Sequence, residues 1–146
     1  MNELALNALL CGLLGGASIE QSHGFINDGK EVSVRIDCET PRYVIEVGRD
    51  GRSSRDSIHQ AIFAAWLTDK KPMVVLIDTD GREGRYEQEM RAVAARLDVE
   101  YAVCSEAFLV RWAATAPFRD LGLDKSIDDL PLEASARGFC NLPFAD

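Results

Sequence analysis

A chain of 146 residues with 47% hydrophobic side chains can bury a substantial core, which excludes disorder as the dominant state and fits one domain. Its formal net charge of −8 excludes attraction of nucleic acid through the overall field, so any such contact needs a local basic patch. Cys11, Cys38, Cys104 and Cys140 are far apart and form no CxxC pair, and only His23 and His59 are available to join them. This excludes a clustered zinc site and predicts reduced, mostly buried thiols in a cytoplasmic protein.

The first segment, Asn2 to Leu14, is rich in Leu and Ala and predicts a helix. The apolar run Leu4 to Ile19 carries Glu3 at its start and no Lys or Arg, unlike a secretory leader. It is shorter than the roughly 20 residues that cross a bilayer, so a buried helix and no membrane partner are expected. A second short helical turn is expected over Ser18 to His23, followed by a turn at Asn27-Asp28-Gly29.

Val32, Val34, Ile36 and Cys38 then alternate with Ser33, Arg35 and Asp37, the period of a strand. A second strand runs from Tyr43 to Val47. Placing Cys38 opposite Tyr43 puts the apolar residues of both strands on one side. Asp37 then lies opposite Val44 and Glu46 opposite Arg35, which makes the two carboxylates diagonal neighbours. One role for Glu46 in that register is a plain ion pair with Arg35, worth roughly 0.2–1 kcal/mol.

Ser53 and Asp56 suit a capping box opening a helix to about Thr68, with Ile58, Ile62, Ala65 and Trp66 on its inner stripe. Met73 to Ile77 is a continuous apolar strand, covered on both faces. After the loop Asp78-Thr79-Asp80-Gly81, a helix over about Glu83 to Leu97 turns Met90, Val93, Ala94 and Leu97 inward. A strand over Val99 to Cys104 leads to a helix, Glu106 to Ala114, capped by Ser105. Residues 1–117 form the core and 118–146 an irregular tail packed by Phe118, Leu121, Leu130 and Phe139. The expected fold class is α/β: an N-terminal helix, an antiparallel hairpin, then β-α-β-α units in a mixed sheet.

Asp37, eight intervening residues and Val44-Ile45-Glu46-Val47 resemble the core of the PD-(D/E)XK nuclease superfamily, over roughly residues 17 to 104. The resemblance implies a restriction-endonuclease-like fold and Mg²⁺-dependent cleavage of nucleic acid, with Mn²⁺ as a compatible ion. Asp37 and Glu46 would hold the metal, which polarises the phosphate and activates water. Gln60, on the helix after the hairpin, matches a glutamine often found there. Glu20 matches an acidic residue often carried by the family's first helix. The chain departs from the pattern at Gly48, which stands where the family has a lysine. That departure also suits a non-catalytic binding or assembly module on the same fold.

Between Arg35 and Arg55 five arginines face four acidic residues, a local reversal of the overall charge. Arg49, Arg52 and Arg55 flank a helix start and are the expected phosphate contacts, or else a solvated loop. Asp78-Thr79-Asp80-Gly81 is similar to the first motif of haloacid-dehalogenase-like phosphatases, with Arg82 in place of the usual threonine. A phosphatase-like enzyme using Asp78 and Asp80 with Mg²⁺ is therefore a further alternative, and a polar turn the simpler one. Trp66 and Trp112 are read as core or interface residues, and a homo-oligomer is compatible with the sequence.

Overall fold

The protein was analysed as a computed structural model that describes residues 2–14, 18–52, 55–115 and 140–141. Ser53 and most of the expected tail lie outside the described residues. Among the described residues, four helices and six strands follow in the order α1 (Glu3–Leu13), β1 (Ser18–Asn27), β2 (Lys30–Glu39), β3 (Tyr43–Arg49), α2 (Arg55–Thr68), β4 (Lys71–Asp78), α3 (Arg85–Arg96), β5 (Glu100–Ser105), α4 (Glu106–Ala114) and β6 (Cys140–Asn141). The strands form one sheet in sequential order. β1, β2 and β3 are antiparallel, β3, β4 and β5 are parallel, and β6 closes the far edge antiparallel to β5. The mixed α/β sheet expected from the sequence is therefore present.

Helices cover both faces. Leu6 and Leu10 of α1 and Phe108 and Leu109 of α4 pack on Ile45, Val47, Met73, Val75 and Ile77. Ile58 and Ala61 of α2 and Met90 and Ala94 of α3 pack on Val74 and Leu76. This is why β4 is apolar at every position: its two sets of side chains enter two different cores. Asn2 caps α1 by accepting from the Ala5 N–H at 2.8 Å, and Ser105 caps α4 by accepting from the Phe108 N–H at 3.2 Å.

Several expectations are corrected. Ser18 to His23 is not a helical turn but the start of β1, which pairs with β2 along its length. The cause is the two-residue turn Asp28-Gly29, whose φ values of +50° and +71° match a tight hairpin connection. The β2–β3 register is shifted by two residues, with Cys38 opposite Ile45 and Glu39 opposite Val44. Thr40 sets the shift. Its hydroxyl accepts from the N–H groups of Arg42 and Tyr43, and its own N–H donates to the Tyr43 carbonyl.

Alternation along β2 breaks at Asp37. Ile36 packs with Val44, Ala64 and Ala65, whereas Cys38 joins the core under α1. On α2 the inner stripe is Ile58, Ala61, Ala64 and Ala65; Trp66 is 74% exposed and stacks on Phe63. On α3, Met90 and Ala94 are buried as expected, but Val93 and Leu97 face out and Glu87 faces in. The cysteines are not free thiols: Cys11 is joined to Cys38 and Cys104 to Cys140. No helix among the described residues is long and apolar enough to cross a membrane.

Candidate functional site

The register places three carboxylates in a row across three strands. Ile19 pairs with Cys38 and Gln21 with Ile36, which brackets Glu20 opposite Asp37. Cys38 pairs with Ile45 at the end of the β2–β3 ladder, and beyond it the Asp37 carboxylate turns to Glu46 and Val47 of β3. Glu20 thus reaches the group from β1 and not from the first helix, and its φ of +52° is unusual for a strand residue. Arg35 pairs with Glu20 at 3.6 Å instead of with Glu46.

Asp37 and Glu46 share a side-chain hydrogen bond, and Asp37 Oδ2 also accepts from the Val47 N–H at 2.9 Å. One carboxyl must carry the proton of that shared bond. Glu46 is 4% exposed. Burial first, then the charge and hydrogen bond of Asp37, push its carboxyl up to about 9. Burial also raises Asp37 above the usual carboxylate range, with the Glu20 charge adding to it against the Val47 and Glu46 hydrogen bonds. Adjacent carboxylates are hard oxygen donors of the kind Mg²⁺ uses, so these residues fit the ion the resemblance implies.

The other expected residues sit around this pair without joining it. Gln60 is exposed on α2. Gly48 follows Glu46 on the same face of β3 by alternation. Arg49 points to the opposite face and meets Glu106 at the start of α4 at 3.8 Å. Arg52 donates to Glu3 of α1 at 3.2 Å, and Arg55 is exposed at the first position of α2.

A second acidic group lies at the carboxyl ends of β3 and β4, the usual ligand end of a parallel sheet. Asp50, Asp78, Asp80 and Glu87 each offer a carboxylate oxygen, all within 4.8 Å of one another. Asp78 Oδ1 accepts from the N–H groups of Asp80 at 3.1 Å and Gly81 at 2.8 Å, a turn closed by Gly81 at φ +73°. Asp50 accepts from both the N–H and the hydroxyl of Thr79 at 2.8 Å. Glu87 reaches back to the Gly84 N–H at 3.2 Å, half of a capping box. Burial and then the Asp78 charge push Glu87 up to about 7, and burial raises Asp78 as well.

The sequence reading found Asp78 and Asp80 but missed Asp50 and Glu87. Glu87 was detectable as the residue three before Met90 and seven before Ala94, on the buried face of α3. Asp50 gave no local signal, because it joins the group only through the pairing of Arg49 with Ile77. Comparison of the chain with protein-family models, with curated proteins and with solved structures finds no match, and the chemistry of the two sites rests on their own geometry.

Proposed function

We propose that this chain is a metal-dependent phosphodiester hydrolase acting on nucleic acid, with Asp37 and Glu46 as its paired carboxylates. The observation that carries the reading is the approach of the half-buried Asp37 carboxyl to the buried Glu46 carboxyl across β2 and β3. The order of helix, acidic strands, helix and further α/β units supports the resemblance to the PD-(D/E)XK superfamily and its restriction-endonuclease-like fold.

A bound Mg²⁺ or Mn²⁺ would supply Lewis-acid polarisation of the phosphate and a water of lowered pKa. The chain's own part is to hold two oxygens rigidly. The Val47 N–H fixes Asp37, and strand pairing fixes Glu46. Loss of the shared proton readies the pair for the ion. Glu20 adds charge beside them, and Arg35, already paired to Glu20, supplies a cation for a phosphate. Arg52 and Arg55 are assigned the nucleic-acid backbone.

Gly48 favours a second reading, a non-catalytic nucleic-acid-binding or assembly module, because β3 presents no lysine beside Glu46 and turns Arg49 to the other face. A plasmid-nicking assay separates the two. Under the hydrolase reading, nicking requires Mg²⁺ or Mn²⁺ and falls at least a hundredfold in Glu46→Gln. If wild type and Glu46→Gln are equally inert with both ions, hydrolysis is abandoned. Salt-sensitive binding of DNA or RNA, weakened in Arg52→Ala with Arg55→Ala, then identifies the binding module.

A further inference from the structure

The four carboxylates at the ends of β3 and β4 differ from an ordinary solvated acidic loop in two respects. Glu87 is 3% exposed, and its Oε1 is buried without a hydrogen-bond partner among the described residues. A carboxylate oxygen sealed from water with nothing to bind costs several kcal/mol relative to a satisfied one, and protonation relieves only part of that cost. Further, among the described residues no Lys or Arg forms an ion pair with Asp50, Asp78, Asp80 or Glu87. Arg85 and Arg91, on the same helix as Glu87, pair instead with Glu89 and Glu83.

We propose that Asp50, Asp78, Asp80 and Glu87 bind one hard divalent cation, Ca²⁺ or Mg²⁺, with the buried Glu87 oxygen as an inner ligand. All donors are carboxylate oxygens, which selects such ions over soft transition metals. Two oxygens facing each other across a Ca²⁺ ion are about 4.8 Å apart, since each bond is about 2.4 Å. The observed spread lies within that diameter for Ca²⁺, whereas Mg²⁺, with bonds of about 2.1 Å, would draw the oxygens in by a few tenths of an ångström. Three segments converge: the exit of β3, the turn after β4 and the first turn of α3. The ion would pin all three.

This site is separate from the Asp37–Glu46 pair. Asp50 stands four residues beyond Glu46, about 13 Å along an extended chain. Two metals sharing one phosphate lie only about 4 Å apart. The inference therefore does not depend on the hydrolase reading, and its variants are different.

The test is calorimetric titration of the full chain with CaCl2 and with MgCl2 after chelator treatment, alongside thermal melts. In Asp37→Asn, which disables the Asp37–Glu46 pair, one saturable site for at least one ion is expected, at submillimolar to millimolar affinity. Asp80→Asn and Glu87→Gln weaken it at least tenfold, whereas Asp37→Asn leaves it intact. Asp80 is exposed, so its variant folds even if Glu87→Gln does not. The proposal is overturned if neither ion binds, if both variants bind as wild type does, or if binding is lost in Asp37→Asn and kept in Asp80→Asn.

Discussion

At the scale of single residues, Glu46 has the clearest energetic signature. In the unfolded chain its carboxyl ionises near 4.5, but in the fold it holds its proton to about 9. Between those values the native state binds a proton that the unfolded state has released. Stability therefore falls as pH rises through this window, by at most about 1.4 kcal/mol per pH unit for such a group. Glu87 acts in the same direction over a narrower window that ends at about 7. Glu39 has the opposite sign. Burial opposes its ionisation, but His23 at 2.7 Å and Lys70 at 3.1 Å outweigh burial and lower its pKa. Its contribution is present above about 4.5 and is lost in acid.

The expected outcome is a wild-type denaturation midpoint that declines from mildly acidic to alkaline pH in chelator. Glu46→Gln should decline less and be the more stable protein above neutrality, because its amide keeps a hydrogen bond to Asp37 and cannot ionise. Denaturant titrations at a series of pH values check this. Parallel pH profiles for the two proteins would mean that Glu46 ionises normally in the fold.

At the scale of elements, β1 is the instructive case. The existence of β2 and β3 was legible because Val32 to Cys38 and Tyr43 to Val47 carry an apolar period, although on β2 that period fails at Asp37. The helices were legible from composition, as in the Leu- and Ala-rich α1, and from caps such as Ser105. β1 was not, because Ser18 to His23 mixes polar and apolar residues without period and becomes a strand only by pairing with β2. Its one local sign was the Asp28-Gly29 turn, which requires a strand on each side. Glu20 lies in the left-handed region near the start of this strand, a conformation costing a non-glycine residue about 1–2 kcal/mol. That bend sits where the Glu20 carboxylate joins Asp37 and Glu46.

Two substitutions separate strain from charge. Glu20→Gln removes the charge and keeps the backbone cost, whereas Glu20→Gly removes both. Glu20→Gly should exceed Glu20→Gln in stability by about 1 kcal/mol, read from denaturant midpoints. Equal midpoints would show that the φ of Glu20 is unstrained. The same contrast explains why the candidate site was only partly legible. Asp37 and Glu46 were visible as strand residues of matched parity. Their direct contact depended on a two-residue register shift set by the Thr40 hydroxyl, which no hydrophobic pattern encodes.

At the scale of the whole molecule, one cysteine link ties a helix layer to the sheet and the other ties two strands of the sheet together. Cys11–Cys38 joins α1 to the strand residue beside Asp37, and Cys104–Cys140 holds β6 on β5. Spacing could not reveal them, since partners 27 and 36 residues apart in sequence look like isolated thiols. Closing a 27-residue loop restricts the unfolded chain and stabilises the fold by about 3.5 kcal/mol in the chain-entropy description. Cys11 and Cys38 are both buried, so this link should resist reductant until the protein opens. The non-reduced chain should therefore show no titratable thiol after unfolding. Reductant should lower its denaturation midpoint, and Cys11→Ala should reproduce most of that loss without added reductant. Four titratable thiols in the unfolded, non-reduced protein, with a midpoint indifferent to reductant, would show that packing alone holds α1 against β2. The position of Asp37 would then depend on the Val47 N–H and strand pairing, without a covalent brace next to it.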